Sequence, residues 1–272
     1  MKIKKTLWVH FLFILILLGI FYPLLFILAN SFKPLKEAYH TILSLIPTPF
    51  TFHNFSYLFE NLPLLQITWN TFFIATVITV VKLVLSFFAA YAFTYYQIKF
   101  KRIWFLLIIA TMFIPFTVSM IPNYLLMSKL QLIDTSWGVI LPQFADAMGI
   151  FLLTQTMRGI PKSLLEVAEL DGVSQRDIMQ SIIFPLTRHA ITSTGIWFFI
   201  TSWNEFVWPV LILKSIDRYT LPLAMQTYIS SEGGTNFTVA MAISLITMMV
   251  PLILYIIFQK YIIGTFVSAG IK

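Results

Sequence analysis

The sequence predicts an all-α integral membrane protein with six transmembrane helices. Two observations carry that class. Hydrophobic residues make up 58% of the 272 positions and charged residues 11%, where a soluble domain carries roughly a quarter charged; mean hydropathy is +0.86. Six stretches are also long and apolar enough to cross a hydrocarbon layer of about 30 Å at 1.5 Å per residue: about 7–29, 71–95, 103–122, 137–157, 189–212 and 237–258. This composition excludes an ordinary soluble enzyme and a disordered chain. With no cysteine, a disulfide scaffold, a thiolate metal site and a Cys nucleophile are excluded as well. The net charge of +7 is read as loop charge on the cytoplasmic side, not as a nucleic-acid surface.

The first stretch follows Lys2, Lys4 and Lys5, as a signal peptide would. Its apolar run to Ala29 exceeds the usual h-region and meets no small-x-small cleavage site, so it reads as a retained span. Residues 30–70 form an outer loop punctuated by Pro34, Pro47, Pro49 and Pro63. The second span carries Lys82 near its middle, too deep to snorkel easily, so pairing or water contact is expected. Pro115 in the third span and Pro251 in the sixth are expected to kink their helices. Trp8, Trp69, Trp104 and Trp137 each open a span, where indoles suit the headgroup level. Six spans put both ends of the chain on one side. That side holds twelve Lys and Arg, against Lys33, Lys36, Lys129, Lys214 and Arg218 on the other, which places both termini in the cytoplasm. Neither a repeat nor a separate soluble segment is seen, so residues 1–272 read as one transmembrane domain.

The informative segment is the cytoplasmic loop 158–188. Pro161 suits a first helical turn, and Leu164, Leu165, Ala168 and Leu170 give a short amphipathic helix. Gly172 sits where a helix ends in a left-handed residue. Ser174 with Asp177 forms an N-terminal signal for a second short helix through Ile178, Ile182 and Ile183, which Pro185 is expected to stop. An interfacial helix on lipid is the plain alternative. Glu166, Glu169 and Asp171 count against it, because anionic side chains do not suit acidic headgroups. An acidic and apolar surface suits a protein partner better.

Glu166-Val167-Ala168, Gly172 and Ile182-Ile183-Phe184-Pro185 keep the spacing E-A-A-x3-G-x9-I-x-L-P, with Val167 and Phe184 as departures. In this the chain resembles the "EAA" loop of ABC-importer permeases. Ser31-Phe32-Lys33-Pro34, Asn70-Thr71, Phe151–Gln155, Ser202–Phe206, Tyr219–Leu223 and the ending from Gln259 to Lys272 are similar to stretches of the carbohydrate-importer permeases of the maltose-transporter type. The resemblance implies the shorter, six-span permease of a heterodimeric pair, with the type I ABC importer transmembrane domain and a cytoplasmic coupling helix. It also implies a second permease subunit, two cytoplasmic ATPase subunits, an extracellular or periplasmic solute-binding protein, a sugar substrate and a bacterial or archaeal cytoplasmic membrane with its lipid. The sequence has no G-x-x-x-x-G-K-[ST] loop. ATP and Mg are therefore expected on the partner subunits, no cofactor is expected here, and the chain itself is not expected to be an enzyme.

Motif position assigns the ATPase-coupling role to Leu164, Leu165, Glu166, Ala168, Asp171, Gly172 and Pro185. Leu164, Leu165 and Ala168 would fill a cleft, Glu166 would offer a carboxylate, and Gly172 would permit the turn. A sugar site needs hydrogen-bonding groups beside aromatic rings, which makes Gln143, Asp146, Trp203, Asn204 and Glu205 candidates for the translocation pathway. For Asn204 and Glu205 helix–helix hydrogen bonding between subunits is the preferred alternative; for Asp146, cavity lining and pairing with Lys82 stand open. By resemblance the outer loop 213–236, with Ser231, Glu232, Gly233 and Gly234 at its tip, contacts the binding protein. His10, His40, His53 and His189 lack metal-ligand spacing, so no metal is assigned. A permease for another organic solute, such as an amino acid or glycerol phosphate, is the alternative within this class. A self-sufficient secondary transporter is the alternative outside it, and would call for inverted repeats.

Overall fold

A computed structural model describes residues 2–229 and 236–270, with side chains from Trp8 to Ile229 and from Asn236 to Lys260. Among the described residues every regular element is helical, as a bilayer requires of a chain that satisfies its own backbone without a closed barrel. The chain divides into two compact units. One holds residues 1–67 with 221–250, and the other holds 68–220 with 251–272.

The first unit opens with α1 (Lys2–Ser31), in which every residue from Trp8 to Leu25 is exposed and burial begins only at Ala29, Asn30 and Ser31. Two short helices follow, α2 (Leu35–His40) and α3 (His53–Asn61). Lys33 ties the loop between them together. Its fully buried ammonium donates to the carbonyls of Thr41 (2.7 Å) and Ser44 (2.6 Å). Burial holds this amine below lysine's usual pKa, against the opposing pull of Glu37. Asn54 donates to the carbonyls of Ser31 and Lys33, both at 2.8 Å, and accepts from the hydroxyl of Thr238 at 2.9 Å.

The second unit contains most of α4 (Leu64–Tyr95). It also holds α5 (Lys101–Ala110), α6 (Phe116–Lys129), α7 (Ser136–Ile140) and α8 (Ala147–Arg158). The expected span 103–122 is interrupted. The helical stretch Lys101–Phe113 meets α6 at 95°, and Ile114 between them is extended. Pro115 causes the break: it offers no N–H to the preceding turn and drives its predecessor out of the helical region. The expected span 137–157 is also divided. Ser136–Gln143 and α8 meet at 44° where Asp146 caps α8 by accepting from the Gly149 N–H at 3.1 Å.

The coupling loop contains α9 (Lys162–Leu170) and α10 (Gln175–Asp177), and α10 continues without a stop into α11 (Phe184–Trp203). Pro185 therefore does not end the helix as expected. A wide π turn, Ile178–Ile183, lies directly ahead of it. That turn carries the carbonyl a proline ring would strike in a regular helix out of the way, so the proline is accommodated instead of terminating the run. The expected span 189–212 breaks at Asn204, and a short α12 (Val207–Ile212) follows. Next come α13 (Leu221–Ile229) in the first unit and α14 (Phe237–Gly270), whose helix runs through Pro251. Among the described residues three helices can cross a membrane by length and composition, or up to five if each bent pair counts as one span. The 20-residue α11 is not among them, because Thr187, Arg188, His189, Ser193, Thr194, Thr201 and Ser202 dilute its apolar character.

Candidate functional site: the coupling loop and the intramembrane polar groups

The turn after α9 is closed by backbone bonds of the Schellman type. The Val173 N–H reaches the Ala168 carbonyl and the Gly172 N–H reaches the Glu169 carbonyl, both at 3.0 Å. Gly172 has φ of +74°, where a side chain is penalised. Ser174 then caps α10, accepting from the Asp177 N–H at 3.2 Å while its own hydroxyl donates to the Asp177 carboxylate at 2.6 Å. A second set of bonds braces the turn against α4. The Gln175 amide donates to Glu169 Oε1 at 2.9 Å, and the Tyr91 hydroxyl donates to Gln175 Oε1 at 3.1 Å.

The two apolar stripes of α9 have different fates. Leu165 and Ala168 are buried within the chain, in a cluster with Ala90 and Tyr91 of α4, Leu153 and Met157 of α8, and Ile178 and Ile183 of the π turn. They are not available to fill a cleft on another molecule. The outward stripe is Leu164, Val167 and Leu170, of which Leu170 is 87% exposed. Sequence reading gave the coupling role to Leu164, but took Leu170 only as an apolar position of the helix and Val167 only as a motif departure. Both stripes repeat at helical spacing, and only the packing of α9 against α4 and α8 separates them. Glu166, Asp171 and Gly172 are exposed at the surface, as is Pro185. Behind α9 lies a cavity of about 620 Å³, lined in part by Tyr95, Lys101, Lys162, Glu166 and Glu169.

The pathway candidates are each engaged locally. Asp146 lies 3.2 Å from the Lys82 ammonium, with both side chains mostly buried, so pairing is the reading the geometry supports. Lys82 also lies 5.2 Å from the centre of the Phe198 ring. Gln143 donates to the Val139 carbonyl at 3.2 Å. Trp203 is buried and stacks on Phe199 at 5.7 Å. Asn204 donates to the Ile200 carbonyl at 2.9 Å, and Glu205 accepts from the Trp208 N–H at 3.2 Å. Asn204 and Glu205 thus make local bonds at the break between α11 and α12. Trp208, fully buried, donates its indole N–H to the Gly138 carbonyl at 3.2 Å. Beside it, Asp134 accepts from the backbone N–H groups of Lys214 (2.8 Å) and Ser215 (3.0 Å) and from the Ser215 hydroxyl. Burial alone would push the Asp134 carboxyl up, but these bonds and the Arg218 charge hold it below the usual carboxylate range. Ser231, Glu232, Gly233 and Gly234 lie outside the described residues. Among the described residues no group of His, Asp and Glu is arranged to hold a metal ion.

A family model described as "Binding-protein-dependent transport system inner membrane component" matches residues 82–265. The arabinooligosaccharides transport system permease protein AraQ of Halalkalibacterium halodurans is 35% identical over 255 residues, spanning 92% of this chain and 91% of that protein. Its Bacillus subtilis namesake is 31% identical over 264 residues, spanning 96% of this chain and 93% of that protein. The sn-glycerol-3-phosphate transport system permease protein UgpE of Yersinia pestis is 27% identical over 267 residues, spanning 96% of this chain and 95% of that protein. A chain in the crystal structure of a bacterial ABC transporter involved in the import of the acidic polysaccharide alginate shares the fold. Its TM-score is 0.82 at 23% identity, covering 96% of each chain.

Proposed function

We propose, from the premise that this chain belongs to the family of binding-protein-dependent transport system inner membrane components, that it forms half of the translocation pathway of an ATP-driven importer for a sugar or oligosaccharide. The arabinooligosaccharide permeases, at 35% and 31% identity across nearly the whole chain, support a carbohydrate substrate. UgpE, at 27% identity, keeps a phosphorylated polyol as the second reading. ATP hydrolysis is assigned to two separate cytoplasmic subunits, substrate capture to a solute-binding protein, and the other half of the pathway to a second permease. We assign both termini to the cytoplasm, count six spans with α11 as the fifth, and treat the chain as one transmembrane domain.

The observation that carries the mechanism is α9. It is an exposed helix with an outward apolar stripe (Leu164, Val167, Leu170) and the carboxylate of Glu166 beside it. Its inward stripe is fused to α4, α8 and the π turn. A partner that grips the outward stripe and moves therefore displaces the ends of three helices together, because a packed cluster moves as a body and does not deform continuously. Gly172 permits the tight return of the chain, and Tyr91, Gln175 and Glu169 keep the turn from yielding under load. Asp171 and Pro185 flank this grip, and Asp171 is placed to meet a basic group on the partner.

Reconstitution tests the reading. The chain is assembled in vesicles with the ATPase subunits, second permease and binding protein that co-purify with it. The expected result is hydrolysis stimulated by sugar-loaded binding protein and sugar uptake that needs ATP. Uptake by the isolated chain, driven by an ion gradient without ATP, overturns it.

A further inference from the structure

The loop between α2 and α3 is built the reverse of a soluble surface loop. Beneath it the buried side chains are polar: Asn30, Ser31, Lys33 and Asn54 are each at most 2% exposed. Their hydrogen bonds all turn inward, Asn30 to the Phe26 and Ile42 carbonyls and Lys33 and Asn54 to the carbonyls named above. The outward side chains are mostly apolar, with Leu43 and Ile46 each 71% exposed, Phe52 64%, Tyr39 61% and Phe50 54%, and the exposed polar ones, His40, Ser44 and Thr48, carry no carboxylate, ammonium or guanidinium. From Ala38 to Phe59 the chain contains no Asp, Glu, Lys or Arg. In water such a face would pay for every apolar side chain it presents. Against lipid it is correctly oriented, with its buried polar side chains turned inward and, among them, only the Asn30 side-chain carbonyl oxygen left without a partner.

We propose that residues 39–52 are an interfacial anchor, seated among phospholipids at the level where the first span ends. Continuity with that span identifies the occupant. An apolar cavity of about 280 Å³ is shared by Leu25, Leu28 and Ala29 of α1 with Phe32, Leu45 and Phe50 of the loop, so the loop extends the same surface that α1 offers to the bilayer. Phe32, Phe50, Phe52 and Phe55 pack into one aromatic group with ring centres about 5 to 6 Å apart. Aromatic rings of this kind favour the boundary between headgroups and acyl chains. A face of this length with no charged residue from Ala38 to Phe59 counts against a soluble binding protein as the occupant, because such interfaces interleave polar, solvent-accessible groups. The inference goes beyond the transport reading and stands without it.

The chain has no cysteine, which makes site-directed spin labelling direct. Leu43→Cys, Ile46→Cys and Phe50→Cys are labelled, with Glu60→Cys as the water-facing reference. The full chain and its co-purifying subunits are placed in vesicles of phosphatidylethanolamine and phosphatidylglycerol. Oxygen should collide with the three loop labels more than a water-soluble nickel chelate does, and the order should reverse at position 60. Nickel access at the three positions equal to that at position 60 overturns the proposal in favour of a solvated loop. Poor access for both reagents overturns it in favour of a protein-covered one. A second measurement uses the unsubstituted chain and a phospholipid carrying a photoactivatable diazirine in its acyl chain. Adducts are expected within 39–52 as well as on α1, and adducts on α1 alone overturn the proposal.

Discussion

Gly172 and Gly138 both resist a side chain, for opposite reasons. At Gly172 a Cβ would meet nothing within 4 Å, and only the backbone at φ of +74° objects. At Gly138 the backbone is unremarkable, but a Cβ would run into the carbonyl oxygen of Leu132 and the side chain of Ile212. Gly172→Ala is therefore expected to cost about 1–2 kcal/mol confined to the turn, with normal membrane insertion and thermal unfolding but weakened ATPase association. Gly138→Ala is expected to destabilise the second unit by about 3 kcal/mol, the upper range for an overpacked site, and to lower the unfolding temperature of the purified chain. Association unchanged by Gly172→Ala would remove the turn from the coupling role. The need for glycine at 172 is readable from the chain, since it follows an amphipathic helix. The need at 138 is not, because the obstructing atoms belong to Leu132, in the loop before α7, and to Ile212 at the end of α12, whose approach no local pattern announces.

At the scale of elements, Lys82 and Asp146 join α4 to the start of α8 across 64 positions of sequence. Sequence reading left Asp146 open between a cavity and this pair, because distance in the chain says nothing of distance in space. Removing one member strands a charge at membrane depth, so Lys82→Met is expected to cost about 3 kcal/mol or more. Asp146→Asn keeps an oxygen to cap Gly149 yet loses the pair, and Lys82→Met with Asp146→Asn should recover most of the loss. Thermal unfolding of the four proteins measures this, and a double variant as poor as the worse single one argues against pairing. The outer stripe of α9 gives a second expectation at this scale. A cysteine replacing Leu170 should react with a soluble maleimide in the isolated chain and be shielded in the ATPase complex. Equal labelling in both states would exclude docking on that face. Helix, turn and helix were all legible in 158–188, because Gly172 and Ser174 are local signals. Which stripe of α9 faces inward was not, since Leu165 and Leu164 are equally apolar and only α4 and α8 distinguish them.

For the molecule as a whole, the helical membrane class followed from composition alone. The number of crossing segments did not follow as directly. Proline at 115 and the caps at Asp146 and Glu205 break apolar runs that look continuous in a hydropathy reading. The outer loop near residues 231–234 is assigned here to the binding protein, and deletion of Ser231–Gly234 tests that assignment. Sugar uptake should be lost while the complex still assembles and hydrolyses ATP. Uptake near the unaltered level would make the segment a plain connector, because shortening a connection by a few residues changes closure entropy by only a few tenths of a kcal/mol.

The π turn ahead of Pro185 has a consequence for chain length. A π turn holds one residue more than the α turn it replaces, so it behaves as a single-residue insertion that the flanking helix has absorbed. Removing the exposed Gln180 would return Ile178–Ile183 to ordinary pitch, but would bring a carbonyl back against the proline ring. The deletion alone should therefore yield little folded protein, and the deletion combined with Pro185→Ala should yield nearly normal amounts. The same deletion at Ser193, inside regular α11, would rotate everything beyond it by about 100°, and no second substitution nearby should rescue it. Expression levels of the three shortened chains, compared in one host, would read out which position of this helix can lose a residue.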